Sequence, residues 1–310
     1  MRYSIPFRQS PRIAVWKSAL IRVFQQIDEK HLTLIAAGIA FYGILALFPA
    51  IAAIIALWGL IGDPTAILPQ LEAFKGVMPG DVFEILSGQI TALAETDGGA
   101  LGWASRLSIM LALWSTRAGV AALMQGMNAV YEERNRQGLS QYLYAFLLTL
   151  ALVTVALVAI GAIVFVPIIL AFVPLGPTAE LFLGAIRWIV AIAVLLAGAG
   201  VVYRYGPNRR AARLTWITPG AVLAVVLWGI ASYGFSVYLS EFGNYNRVYG
   251  SIGTVIALLM WLFISGFLLL LGAALNAELE RHTRPDSTVG RSRPAGKRGA
   301  QAADAFIDAN

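Results

Sequence analysis

Cysteine is absent from all 310 residues, which removes disulfides, thiolate metal sites and cysteine nucleophiles together. Histidine is nearly absent: only His31 and His282 occur, each at the edge of an apolar block. Charge is scarce as well. Asp, Glu, Lys and Arg make up 13% of the chain, where a soluble domain carries about 25%. No Gly-x-x-x-x-Gly-Lys-Ser/Thr occurs, so this chain alone is not a nucleotide-driven pump. The first thirty residues hold no apolar run of signal-peptide length, because Arg2, Arg8, Arg12, Lys17, Arg22 and Asp28 interrupt them. The first apolar block is therefore expected to be a retained helix.

What the chain has instead is apolar length. It is 58% hydrophobic, with a mean hydropathy of +0.72. So much apolar surface needs a non-aqueous solvent to cover it. A membrane span takes roughly 20 apolar residues at about 1.5 Å each. Residues 33–61, 142–173, 214–240 and 248–277 meet that length without a charge. Two more spans are cut by arginines. Residues 188–203 lie between Arg187 and Arg204, whose heads can snorkel outward, and residues 101–130 contain Arg106 and Arg117. The expected fold class is an all-α polytopic membrane protein of six transmembrane helices.

Basic residues set the expected orientation. With the N-terminus inside, segments 1–31, 131–140, 204–213 and 278–310 hold 18 of the 23 Lys and Arg, and the outer segments hold only Lys75 and Arg247. That asymmetry satisfies the positive-inside rule with both termini cytoplasmic. The same rule accounts for the formal charge of +6 without nucleic acid. Within 1–31, Ile13, Trp16, Leu20, Val23, Phe24 and Ile27 recur at helical spacing between basic residues. This predicts an amphipathic helix on the inner leaflet; the alternative is a cytoplasmic cap packed on loops. The transmembrane domain is expected over 32–281. Inside it, 63–99 is read as a periplasmic helical segment, with Asp81 capping an apolar face of Val82, Phe83, Leu86, Ile90 and Leu93. Residues 282–310, rich in Pro, Gly, Ser and Arg, read as a disordered cytoplasmic tail.

Arg117 is the first candidate site residue, since a mid-helix charge costs about 2.5–3.5 kcal/mol on insertion scales. Arg106 and Asn128 lie 11 residues either side of it, close to whole helical turns, so the three form one polar stripe. The stripe reads as a wet or anion-binding path. Its alternative is a buried arginine paired structurally with a carbonyl or carboxylate. On the last helix Ser265, Gly272, Asn276 and Glu280 share a face with Glu278 close by, which suits either close helix packing or a partner for an arginine of the second helix. Arg106, Arg117, Asn128, Asn276 and Glu278 are thus the substrate-binding candidates. Ala36, Ala40 and Gly43 make a small-residue seam on the first span, and Pro49 removes one backbone hydrogen bond there. A weak internal repeat is also visible. Leu32 to Gly38 and Leu214 to Gly220 share Leu-Thr-x-Ile-x-x-Gly, and Asn128 to Glu132 and Asn276 to Glu280 share Asn-Ala-x-x-Glu.

From about Phe24 to Arg281 the chain resembles the YihY/BrkB family of bacterial inner-membrane proteins, once labelled ribonuclease BN. The resemblance rests on Ala40-Phe41-Tyr42 with Phe48-Pro49, and on Trp114-Ser115 with Arg117 and Gly119. It continues in Pro219-Gly220-Ala221 with Trp228, in Tyr245 with Tyr249-Gly250-Ser251-Ile252-Gly253 before Trp261, and in Gly272-Ala273 with Asn276-Ala277-Glu278-Leu279. Ala46 stands where a serine is common in the family. The resemblance implies six helices and a place in the bacterial inner membrane, with no agreed activity. Tyr42, Pro49, Tyr249, Gly250 and Gly253 are the gating or structural candidates, with 244–253 as a flexible outer gate.

Hydrolysis of RNA usually needs a water activated by metal ions on clustered carboxylates or histidines. The acids on the inner side form no His or Asp-x-Asp pattern, so the sequence reads as no enzyme, without metal or cofactor. Two functions of different class remain. One is a transporter or flippase-like protein that binds or moves an anionic lipid or amphiphile, with membrane lipids as partners and no nucleic acid. The other is a non-transporting scaffold for envelope assembly.

Overall fold

The computed structural model describes residues 12–61, 98–171, 177–209, 218–241, 246–282, 288, 293–294 and 296–305. These residues are helical or connecting, with no β-strand beyond an isolated bridge at Thr288. A short α1 (Arg12–Glu29) leads into α2 (Leu32–Ile61). Then follow α3 (Gly98–Tyr131), α4 (Leu139–Ala171), α5 (Pro177–Tyr205), α6 (Pro219–Glu241), α7 (Asn246–Arg281) and a single turn, α8 (Gln301–Asp304). Pro219–Leu239 and Val255–Arg281 are long and apolar enough to cross a membrane, and Leu32–Ala46, Leu139–Val155 and Ile189–Tyr205 are shorter apolar stretches. The outward surface is built from large hydrophobic residues, among them Leu34, Met110, Ile189, Ile230 and Tyr233. Contiguous exposed apolar area of that kind marks a surface made for something other than water.

Local chemistry sets the helix ends. Pro219 fills the first position of α6, where its missing N–H costs nothing, and Thr218 Oγ1 accepts the Ala221 N–H at 3.2 Å as the cap. At the end of α3, Glu133 N–H bonds Asn128 O at 2.8 Å and Glu132 N–H bonds Ala129 O at 3.3 Å. That closure places Glu132 in the left-handed region, with φ of 60°, where glycine is the usual occupant. His31 makes the corner between α1 and α2 in the same way, with φ of 51°.

Two hairpins form the centre. α2 packs along α3, α6 along α7, and α2 and α3 both meet α7. The hairpin of α4 and α5 flanks them, touching α3 through α4 and α6 through α5. Small residues set the closeness of these contacts. Ala36 and Ala40 are buried on α2, and Gly119 on α3 faces the backbone of Tyr42 and Gly43. α6 and α7 come closer still. A Cβ on Gly220 would overlap the Gly272 carbonyl oxygen, and one on Gly272 would overlap the Tyr203 hydroxyl and the Gly220 carbonyl. The core along this centre joins Leu32, Met127, Val130, Tyr131, Leu270, Ala274 and Leu275.

Several sequence expectations meet different geometry. α5 begins at Pro177, so the helix runs on past Arg187 beyond the expected span 188–203, whose apolar stretch is Ile189–Tyr205. Residues 246–253 of the expected outer gate form the first turns of α7. Glycines in the middle of a sequence need not break a helix whose flanks are apolar and packed. Pro49 lies inside α2, which continues through it to Ile61. Part of the expected disordered tail has a defined path. Asp304 accepts backbone N–H groups of Gly296 at 2.8 Å, Arg298 at 3.0 Å and Gly299 at 3.3 Å, and α8 rests against α7 with Ala302 and Ala303 buried. The periplasmic segment expected over 63–99 lies outside the described residues, apart from 98–99, the first two residues of α3.

Candidate functional site

The end of α3, the starts of α4 and α6, and the ends of α5 and α7 share one end of the bundle, here called the base. Arg117 stands 14 residues above the end of α3, about 21 Å of helix rise. Its guanidinium lies between two rings. The Cζ is 4.8 Å from the Trp114 ring centroid and 4.7 Å from that of Tyr142 in the first turn of α4. Both distances fit cation–π contact. The rings themselves face outward, Trp114 being 65% and Tyr142 52% exposed. Arg117 itself is half-buried, and its Nε–H is shielded without a hydrogen-bond partner. The side chain is thus held in the groove between α3 and α4, with one donor unused and its aromatic flanks open sideways. Arg106 lies in the same helix, and its side chain is outside the described residues.

Asn128, the lower end of the predicted stripe, has a structural occupation. Its side-chain oxygen accepts the Asn208 N–H at 2.6 Å, and its amide donates to Asn135 Oδ1 at 2.8 Å. Asn276 does the same at the foot of α7. It accepts the Gly220 N–H at 2.8 Å and donates to Thr218 Oγ1 at 2.9 Å, tying the first turn of α6 to α7. Higher on that face Trp228 Nε1 donates to Ser265 Oγ at 2.9 Å, and Ser265 donates to the Trp261 carbonyl at 2.8 Å.

Glu278 is fully buried and meets Arg281, whose Nη1 lies 2.7 Å away, while Gln26 of α1 donates its amide to the same carboxylate oxygen. Arg281 also reaches Glu132 at 3.0 Å, and Lys30 meets Glu132 at 2.8 Å and the Val130 carbonyl at 3.0 Å. A second pair stands beside this chain of contacts. Arg209 lies 2.5 Å from Glu280 and 4.4 Å over the Tyr131 ring. The acids of α7 that were candidate partners for an arginine of the second span thus meet Arg281 and Arg209. Burial pushes the Glu132 carboxyl upward, but the Lys30 hydrogen bond and the nearby Arg281 charge outweigh it and hold Glu132 below the usual carboxylate range. Glu133 is the opposite case: burial raises it, only partly offset by the Gln301 N–H at 2.8 Å.

Among the described residues no group of three or more His, Asp or Glu is placed to hold a metal. Tyr42 is exposed on α2, Gly253 is half-buried, and the side chains of Pro49 and Tyr249 lie outside the described residues. Sequence reasoning missed Gln26, Lys30, Glu132 and Arg281 as members of one polar network with Glu278, and Arg209 as the partner of Glu280 beside it. The basic ones among them had counted only as inner-side charge. Tyr142 was missed too, since it meets Arg117 from another helix.

A family model described as "Virulence factor BrkB" matches residues 23–297. The chain belongs to the BrkB family. Within the curated relatives of this BrkB member, a "putative ribonuclease-like protein YfkH" of Bacillus subtilis is 35% identical over 259 residues, 81% of this chain and 91% of that protein. A UPF0761 membrane protein of Ralstonia nicotianae is 28% identical, across 85% of this chain but only 60% of its own length. One from Aeromonas salmonicida is 24% identical, over 86% of this chain and 90% of its own. No solved structure matches. A membrane protein of the BrkB family is what these likenesses and the apolar helices establish.

Proposed function

We propose that this BrkB family member crosses the bacterial inner membrane six times with both termini inside, and binds an anionic lipid or amphiphile at Arg117 as part of a transporter or flippase-like cycle. The carrying observation is the Arg117 guanidinium held between Trp114 and Tyr142 with its Nε–H unused. A charge within a helix of such apolar character should not be left bare to lipid. Aromatic faces cover it, and a phosphate or carboxylate head group would complete it by charge-assisted hydrogen bonds. The groove between α3 and α4 offers a lateral approach, which suits a ligand dissolved in the bilayer. The ribonuclease-like name belongs to the Bacillus relative and is not carried over to this chain.

The test uses purified protein in vesicles holding a labelled anionic lipid. The native chain should bind or scramble it more than an Arg117→Gln variant, with thermal unfolding showing both to be folded. Equal behaviour would turn the reading towards the scaffold, which the ion-paired base favours, since that network ties helices together without a ligand.

A further inference from the structure

We infer that α1 is a lipid-docking helix whose Trp16, Leu20, Ile21 and Phe24 enter the inner leaflet, with Lys17 and Arg22 at anionic head groups. The inference rests on the membrane-spanning reading above, and it starts from a mismatch in how much of α1 the bundle covers. Ala19, Val23 and Gln26 are buried, and Ile27 is packed beside them. These residues lie on one narrow side of the helix, which faces α7 and α2. The Gln26 amide on Glu278 fixes the roll of the helix against the base.

The apolar surface of α1 is wider than that contact. At 100° per residue, Trp16 lies at the edge of the buried side, and Leu20, Phe24 and Ile21 carry the apolar surface about 120° beyond it. None of them is covered: Trp16, Leu20 and Ile21 are 42–50% exposed and Phe24 is 70% exposed. A helix that only capped the bundle would carry polar residues along this arc. Most of its polar residues are elsewhere, at Arg22, Gln25 and Glu29, with Arg22 donating to Gln25 at 3.3 Å, and only Lys17 and, in the last turn, Asp28 fall within the arc.

Charge selects the occupant. From Arg12 to Ile27 the only charged residues are Arg12, Lys17 and Arg22, and the acids Asp28 and Glu29 are confined to the last two positions. Lys17 stands within the open apolar arc. A lysine there can lay its stem along the rings and put its ammonium at the phosphate level. Basic residues flanking an apolar, tryptophan-bearing helix face are the pattern of an interfacial helix on an anionic leaflet. A second protein or a second copy of the chain would have no comparable use for a lone ammonium inside its apolar contact.

The lack of native cysteine makes the test direct, because single-cysteine variants need no other change. Spin labels would be placed at Leu20→Cys, Phe24→Cys and Gln25→Cys, and at Ile230→Cys on the exposed side of α6. The full chain is then put in vesicles of phosphatidylethanolamine with phosphatidylglycerol. Collisions with oxygen, which concentrates in lipid, are compared with those of a water-soluble nickel chelate. The ratio of oxygen to nickel collisions should be several-fold higher at positions 20 and 24 than at 25. Position 230 reports separately on the spanning reading. A high ratio at 230 with water-like values at 20 and 24 would overturn the docking of α1 alone, and a water-like value at 230 would overturn the span. Shielding from both reagents at 20 and 24 would mean a protein partner, and would also overturn the proposal. Replacing phosphatidylglycerol with phosphatidylcholine should lower the ratio at 24. An unchanged ratio would refute the role given to Lys17 and Arg22.

Discussion

Asn128 and Asn276 hold the same post at the base of two different helices. Each side-chain oxygen accepts a backbone N–H from a segment beside it, at 2.6 Å from Asn208 and at 2.8 Å from Gly220. Each is followed four residues later by a glutamate in an ion pair, Glu132 with Lys30 and Glu280 with Arg209. The repeated Asn-Ala-x-x-Glu therefore recurs in use as well as in spelling. Asn128→Ala or Asn276→Ala should leave a buried N–H unpaired, at about 1–3 kcal/mol. Thermal unfolding in detergent measures this, and an unchanged midpoint for both would show the bonds to be dispensable.

Glu278→Ala removes the fully buried partner of Arg281 but leaves it Glu132 at 3.0 Å, so the loss should fall below the about 3–5 kcal/mol of a stranded buried charge. Glu278→Ala with Arg281→Ala should lose less than the sum of the single changes. Additive losses would show that the two side chains do not act as a pair.

At Gly220 or Gly272, alanine should separate α6 from α7. Overpacking of this kind costs about 1–3 kcal/mol and often more where the obstacle is backbone. Gly229→Ala is the control, because a Cβ there meets nothing within 4 Å. Size-exclusion profiles of fluorescently tagged protein would report the contrast.

Glu132 carries two opposed effects. Its φ of 60° strains a non-glycine residue, while its carboxylate binds Lys30 and Arg281. Glu132→Gly relieves the backbone and Glu132→Ala does not, so the glycine variant should be the more stable by about 1–2 kcal/mol. The folded state also holds this carboxyl below its ordinary value. The contribution is therefore present above the unfolded pKa and is lost as the pH falls through the lower, folded one. Native protein should lose midpoint temperature across that acidic window more steeply than Glu132→Gln. Parallel curves would remove Glu132 from the acid response.

Orientation is open to reporter fusions. One after Asn310 and one after Gly138 should behave as cytoplasmic, and one near Asp97 as periplasmic. A periplasmic C-terminus would defeat the proposed topology.

The helices were legible because apolar length is a one-dimensional signal. Residues 33–61 became Leu32–Ile61, and 101–130 became Gly98–Tyr131. The apolar stretch 188–203 recurs as Ile189–Tyr205, within a helix that begins earlier, at Pro177. Partners were the least legible. Helical spacing can place Arg117 on a face, but not reveal that Tyr142 arrives from α4 to cover it. Likewise Lys30 and Glu132 are about a hundred positions apart, and only the packing of α2 along α3 brings them together. In the tail, the path of 296–305 rests on one carboxylate, Asp304, gathering three backbone donors, which composition does not register.

Arg281 serves Glu278 on its own helix and Glu132 at the end of α3, and Lys30 holds that same Glu132 from the corner before α2. Three chain crossings are thus clasped at one level. Any working motion that parts α3 from α7 at this level must first break charge contacts, whereas spreading at the far end need break none of these. Under the proposed transporter reading, an opening at this end would need these ion pairs released first.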